Sequence, residues 1–391
     1  MTTDHASPRR IISRRALLKL FSASLLSQNL IACSHKKFLN PDEDILLSGG
    51  NKMDDDRSQN VLVVINLIQK EKRLIETPFL PHGIHINPAN KYQLFCFEKN
   101  GKNACEIDLQ TRRITRLLQA GENQLFSGHA SFSHDGKNIY CVESDSQHHQ
   151  GSISIRNTQT FEVTQRLPTP GLSPHDSQLD KDNILTVSNT GRSKSGFHQP
   201  SLVRIDMDTG KLIERIKLEH NNQTFGQLNC GHFRMGSDDD LVIASAPVDS
   251  KDKTLPGGVS IRNHDGSLTT MDEPEVVIKR MTGEALGIEI NQQQSIVAIT
   301  HPEANLITFW SIKHKKIIKA FGIEKPRGLS QTLDQEYFIV SYGESPAMAT
   351  ISTKDLQPQA DSIVQPTLTS GEHMINWSKQ LRHIMPAHIY D

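Results

Sequence analysis

The sequence predicts an all-β fold, a seven-bladed β-propeller closed by N- and C-terminal strands in one blade. Three observations predict it. A short strand opened by a histidine or charged residue, then a polar turn, then a strongly apolar strand, recurs every 43–57 residues. Each recurrence runs on into two further β-rich segments, and four strands per repeat of that length is the pattern of a propeller. Helical periodicity is scarce between the strands, which excludes an alternating α/β chain.

Residues 1–32 read as an export signal and not as part of the fold. Ser13-Arg14-Arg15-Ala16-Leu17-Leu18-Lys19 resembles the twin-arginine export motif. The apolar run from Leu20 to Ile31 is shorter and more polar than a membrane-spanning helix requires. Leu30-Ile31-Ala32-Cys33 resembles a bacterial lipobox, which makes Cys33 the expected lipidation site and the first residue of the mature chain. Ser34 follows where an aspartate would favour the inner membrane. The expected location is therefore the periplasm, lipid-anchored to the outer membrane. Residues 33–44 are expected to form a tether and residues 45–391 the propeller.

The propeller opens with three strands near Ile45–Ser48, Val61–Asn66 and Leu74–Phe79. Six complete units follow across 81–370. Their openers and apolar strands are His82 with Leu94–Phe97, His129 with Ile139–Val142, and His175 with Ile184–Val187. Next come His232 with Leu241–Ala244, Glu284 with Ile296–Ile299, and Arg327 with Tyr337–Val340. Ser152–Arg156, Ser201–Ile205, Val259–Arg262 and Leu306–Trp310 supply third strands. Turns such as Asp206-Met207-Asp208-Thr209-Gly210-Lys211 lead to the fourth, with Asp and Gly tolerating the backbone that tight turns need. The last opener, His373, begins one more strand, His373–Ser378. One late strand and three early ones complete a seventh blade, and that closure removes the exposed sheet edge. Eight blades, or two smaller sandwiches, are the alternatives.

Of 391 residues, 36% are hydrophobic and 22% charged, which suits a chain with a large core and excludes collagen-like and wholly disordered classes. The net charge is −1, and removing Arg9, Arg10, Arg14, Arg15, Lys19 and Asp4 with the signal leaves a mildly acidic chain. No nucleic-acid partner is expected, because such partners call for a basic face. A monomer is expected.

The twin-arginine start, Pro81-His82-Gly83-Ile84, Gly128-His129 with Phe132-Ser133-His134-Asp135-Gly136, and Gly171-Leu172-Ser173-Pro174-His175-Asp176 together carry a family likeness. The chain resembles the domain-of-unknown-function family numbered 1513, over most of its length from about residue 45. The resemblance implies an exported propeller whose gene lies beside those of imelysin-like proteins in iron-regulated clusters. An imelysin-like periplasmic partner and a link to iron or another transition metal are implied with it; no reaction is. Asp176 and Ser177 stand where the family more often has Glu, and the lipobox is an addition.

In a propeller the innermost strand of each blade borders the central channel, so the openers gather at one channel mouth. His82, His129, His175, His232 and His373 are therefore the candidate metal ligands, with iron or copper the expected metal, since neutral imidazole suits both. Glu284 and Arg327 complete the ring. They are expected to form a salt bridge with each other or to bind an anion, a role that paired guanidinium hydrogen bonds suit. The second strand returns to the same face, so its end is expected to place Glu98, Glu143, Asn189, His301 and Glu344 one step outward. Carboxylates there would orient the imidazoles. For each histidine taken singly, a structural strand cap is the alternative.

His85 has the opposite strand parity to His82 and is expected to pack between blades. His148 and His149 read as a solvated loop. Cys96 and Cys141 read as core residues. Cys96 and Cys105 flank the Asn100-Gly101 turn symmetrically, which leaves a disulfide open, and Cys230 could add a sulfur ligand beside His232. No His-Glu-x-x-His, Gly-x-Ser-x-Gly or phosphate-loop motif occurs. The leading expectation is thus a metal-handling propeller. A lactonase- or oxidoreductase-like propeller enzyme and an envelope interaction scaffold are its rivals.

Overall fold

Seven four-stranded antiparallel sheets follow one another around a circle. In this computed structural model the described residues are 37–384, apart from 55–56, 219–224, 237–238, 250–251 and 253. The export motif and Cys33 lie outside them. The chain divides into two units, Met1–Phe38 and Leu39–Asp391, and the propeller is the second.

The first blade comprises Gly83–Asn87, Asn90–Phe97, Asn103–Asp108 and Arg113–Gln119, and the second Gln124–Phe132, Asn138–Asp145, Gln150–Asn157 and Val163–Leu172. The third comprises Pro174–Leu179, Ile184–Asn189, Ser201–Asp206 and Lys211–Lys217, with a small hairpin, Arg192–Ser193 and Gly196–Phe197, inserted. His232–Met235, Leu241–Ser245, Gly258–Arg262 and Leu268–Thr270 make the fourth, and Ile288–Asn291, Ile296–His301, Leu306–Ser311 and Lys316–Gly322 the fifth. The sixth is Leu329–Gln331, Tyr337–Tyr342, Ala347–Ser352 and Pro358–Val364. In the closing blade the late strand Thr369–Asn376 pairs with Ile45–Asp54, which pairs with Arg57–Asn66 and then Glu71–Glu76. The expected three-plus-one closure is therefore present.

The second strands are covered on both faces by neighbouring blades, so they read as continuous apolar runs rather than as alternation. Val142, Leu185 and Val187 are fully buried between the second and third blades. Phe95, Phe97, Phe126, Ile139 and Cys141 fill the space between the first and second. The expected strand His373–Ser378 stops at Asn376, and a helix, Trp377–Ile384, begins there. Asn376 explains the stop: its side-chain oxygen accepts the Lys379 N–H at 3.2 Å, a helix N-cap. Residues 39–44, expected as tether, pack against the propeller instead. Glu43 is buried and accepts hydrogen bonds from Asn66 and Gln69, at 2.6 and 2.8 Å.

Two devices position the channel lining. Hydroxyl groups pin the opener backbones across blade boundaries: Ser127 donates to the His175 carbonyl (3.0 Å), Ser188 to Gly231 (2.6 Å) and Thr300 to Arg327 (2.7 Å). Three of the innermost strands also bulge at their openers. Phe126 faces Glu143 while Ala130 faces Cys141, so Ser127–His129 bulge out of the ladder. Pro174 faces Asn189 while Ser177 faces Val187, which displaces His175 and Asp176. Met374 faces Ser48 while Thr369 faces Gly50, which displaces Glu372 and His373. Bulges re-aim side chains in this way at functional sites.

Candidate metal centre

The five opener histidines meet. Their rings form a closed circuit, His82–His129–His175–His232–His373, with centroids 4.8, 5.1, 4.6, 4.5 and 4.4 Å apart in that order and back to His82. They lie inside the protein rather than at an open mouth, since His82, His129, His175 and His232 are 4%, 5%, 8% and 1% exposed and His373 is half-buried. The Nε2 atoms point at one another: His82 to His129 at 3.1 Å, His82 to His373 at 3.3 Å, and His175 to His232 at 3.3 Å.

Close packing of the first blades brings the imidazoles together. Gly128 sits in the left-handed region, at φ 112°, and a Cβ there would lie 2.3 Å from the His82 ring. Gly83 likewise leaves room for the Gly128 carbonyl, 2.0 Å from where its Cβ would be. The Pro-His-Gly and Gly-His pairs are thus what let two blades approach at the ring.

The far nitrogens face carboxylates. Asp176 places one oxygen 3.3 Å from His129 Nδ1 and the other 3.7 Å from His232 Nδ1. The longer distance is beyond a hydrogen bond, and His232 Nδ1 has no other partner among the described residues. Glu372 lies 3.3 Å from His82 Nδ1 and also pairs with Lys99. Burial alone would push the Asp176 carboxyl up, but His129, His232 and Arg234 together hold it well below the usual carboxylate range. Arg234 reaches it at 3.1 Å and the Ser177 N–H donates to it at 2.8 Å. Burial pushes the imidazoles the other way. His129 falls to about 3 despite Asp176, and His82, His175 and His373 fall well below their ordinary value, helped by their mutual repulsion. These rings are neutral at neutral pH.

The expected outer layer of carboxylates is not what supports the ring. Glu143 is fully buried against Arg156 (2.7 Å) and Arg166 (2.5 Å), with Ser154 donating to it as well. Glu98 accepts from Asn103 in its own hairpin. Glu344 is exposed and pairs with Lys325. His301 is bound to Thr308 at 3.0 Å, and the Asn189 side chain has no hydrogen-bond partner among the described residues. Among the described residues no hydrogen bond or ion pair joins any of the five to a ring histidine. Glu98, Glu143 and His301 are taken up by pairing within their own blades. Glu284 does come near: burial raises its carboxyl, against the pull of His232 and Lys99. Among the described residues no ion pair joins Glu284 to Arg327. The Arg327 backbone is held at the opener position, its carbonyl accepting from Thr300 and its N–H donating to the Ser341 carbonyl.

Strict strand alternation points the neighbour of an opener away from the channel, and Asp176 and Glu372 escape that rule because both sit in bulges. The signal was adjacency itself: each acid is one residue from a ring histidine.

The other sequence candidates fall outside the ring. His85 Nε2 accepts the Ala130 N–H at 3.1 Å, between the first and second blades as expected. His148 is exposed beside Asp145. Cys96 and Cys105 face each other across the hairpin as free buried thiols. Cys230 packs with Leu202, Phe233 and Ile243, and burial pushes its thiol up, so it is a core residue.

A seven-bladed propeller with a buried imidazole circuit in its channel is thus the class that fold and site define. The chain belongs to the family described as Protein of unknown function (DUF1513), which matches residues 75–376. No curated protein matches it. Among solved structures it is similar to hydrazine synthase of Kuenenia stuttgartiensis, with a TM-score of 0.60 and 13% identity over 83% of this chain and 99% of that one. It is also similar to the dihydro-heme d1 dehydrogenase NirN in complex with DHE, with a TM-score of 0.58 and 12% identity over 88% and 78%. A functionally unknown protein from Desulfotomaculum acetoxidans DSM 771 has a TM-score of 0.53 at 10% identity over 83% and 97%. At these identities the likeness is one of fold.

Proposed function

We infer that the protein binds a transition metal, iron or copper foremost, on the Nε2 atoms of His82, His129, His175, His232 and His373. One observation carries this. Carboxylates lie 3.3 Å from Nδ1 of His82 and of His129, which favours the proton on that nitrogen and turns both Nε2 lone pairs toward each other. Those two lone pairs face each other at 3.1 Å, in rings held neutral by burial. Two acceptors at that distance repel unless a cation lies between them. NirN, a dihydro-heme d1 dehydrogenase, shares the fold, which agrees with metal-related chemistry on this architecture.

The same reading includes location. The twin-arginine and lipobox motifs support export and anchoring through Cys33 to the outer membrane, facing the periplasm. An imelysin-like protein of that compartment is the proposed partner. The test is metal analysis by mass spectrometry of the protein purified from the cell envelope, beside a variant carrying His129→Ala, His175→Ala and His232→Ala. Near-stoichiometric iron, copper or zinc in the parent, lost in the folded variant, is the expected result. A parent that carries no metal and takes up none on titration overturns the reading.

A further inference from the structure

We propose that the circuit holds a single bare metal ion, with His129 as the ligand common to two overlapping positions, and that it does not ligate a haem or other chelate. This rests on the metal-binding reading above and narrows what is bound.

Two groups of three donors lie close enough to hold an ion: His82, His129 and His373, and His129, His175 and His232, with the donor atoms of each group within 4.8 Å of one another. His129 belongs to both. Its Nδ1 faces Asp176, so Nε2 supplies its only free lone pair, and one lone pair binds one metal. Two ions cannot both have three imidazoles. An ion in either position shares His129 and takes its remaining ligands from one side of the circuit.

The spacing fits an unchelated ion. The closest Nε2 contacts in each group, 3.1 and 3.3 Å in the first and 3.3 Å in the second, match the edges of a coordination tetrahedron, about 3.3 Å for bonds of ~2.0 Å, with the remaining donors within 4.8 Å. Every convergent donor is an imidazole, which favours zinc, copper, iron or nickel over magnesium or calcium. A haem iron offers protein ligands only its two axial positions, on opposite faces of the macrocycle, with nitrogens about 4 Å apart. Imidazoles already touching nitrogen to nitrogen leave no plane for a macrocycle between them.

The experiment uses the chelator-stripped protein from the envelope, titrated separately with Cu²⁺, Zn²⁺ and hemin. Three variants accompany the parent: His129→Ala, the pair His82→Ala and His373→Ala, and the pair His175→Ala and His232→Ala. One Cu²⁺ or Zn²⁺ per parent chain is expected, and each pair variant still takes one ion. His129→Ala is expected to lose more affinity than a lost outer partner would, beyond about 100-fold. Should His129→Ala fail to fold, the electron paramagnetic resonance of the copper-loaded parent decides. One magnetically isolated copper per chain supports the proposal, and a spin-coupled pair overturns it. Two ions per chain overturn it, as does a folded His129→Ala that binds as tightly as the pair variants. A hemin Soret shift that disappears in His129→Ala also overturns it, while leaving a metal-related function standing. A parent that takes up neither ion nor hemin overturns this proposal and the underlying reading together.

Discussion

Asp176, in the third blade, places its carboxylate 3.3 Å from Nδ1 of His129 in the second and 3.7 Å from Nδ1 of His232 in the fourth. One acid thereby faces imidazoles from the blades on either side of its own. Asp176→Asn keeps the shape and removes the charge that holds the proton on Nδ1. Metal affinity is expected to fall about 10–100-fold, the usual loss on removing such a partner. Competition with a chromophoric chelator measures it. An unchanged affinity would show that Asp176 serves only its pair with Arg234.

Glu143 offers the contrasting case. Its carboxylate is fully buried between Arg156, itself 4% exposed, and Arg166. Glu143→Gln strands the buried Arg156 charge and is expected to lower stability by about 3–5 kcal/mol. Metal uptake at low temperature should stay at the parent level. Urea melts read the first effect and metal analysis the second.

Acid sensitivity follows from His301 and His85, which burial lowers to about 3 and about 4. Both folded values lie below the ordinary 6.5, so beneath that pH the unfolded chain binds more protons. Stability is therefore full above 6.5 and falls as the pH drops toward 3, by up to about 1.4 kcal/mol per pH unit for each such group. Urea midpoints of the metal-free protein at pH 7.5 and pH 5 should differ in that sense. His301→Gln should flatten the slope by one group's share. Equal midpoints at both pH values would contradict the assignment of buried neutral imidazoles.

Gly128→Ala introduces a side chain where φ is 112° and where its Cβ would come within 2.3 Å of the His82 ring. Both effects act against the native state, so a loss above about 1 kcal/mol is expected. Because the clash falls on a ring imidazole, metal affinity should fall with it. A variant with lowered stability but parental affinity would separate His82 from the site.

The blades were legible because each repeats four strands at similar spacing, and because the second strands, covered on both faces, read as plain apolar runs. The circuit was legible because the openers occupy equivalent places in the repeat. Local departures from the repeat hid the rest. Asp176 and Glu372 sit in bulges that cancel strand alternation. Glu143 finds its arginines on the third and fourth strands of its own blade, a pairing that depends on register. Trp377 and Ser378 continue a β-like run, and only the cap at Asn376 turns that run into a helix.

His373 lies on the late strand that joins the chain's first strand to close the circle. The fifth imidazole therefore arrives only when that seam closes, and Glu372, which faces His82 Nδ1, arrives on the same strand. A molecule whose final strand has not docked presents at most four of the five nitrogens. An occupant that depends on His373 consequently favours the docked form in proportion to how tightly it is held. Loading and sealing then become two views of one equilibrium. Peeling the terminal strand away would release an ion held on His82, His129 and His373 and leave one held on His129, His175 and His232, and removing an ion bound to His373 would loosen the seam.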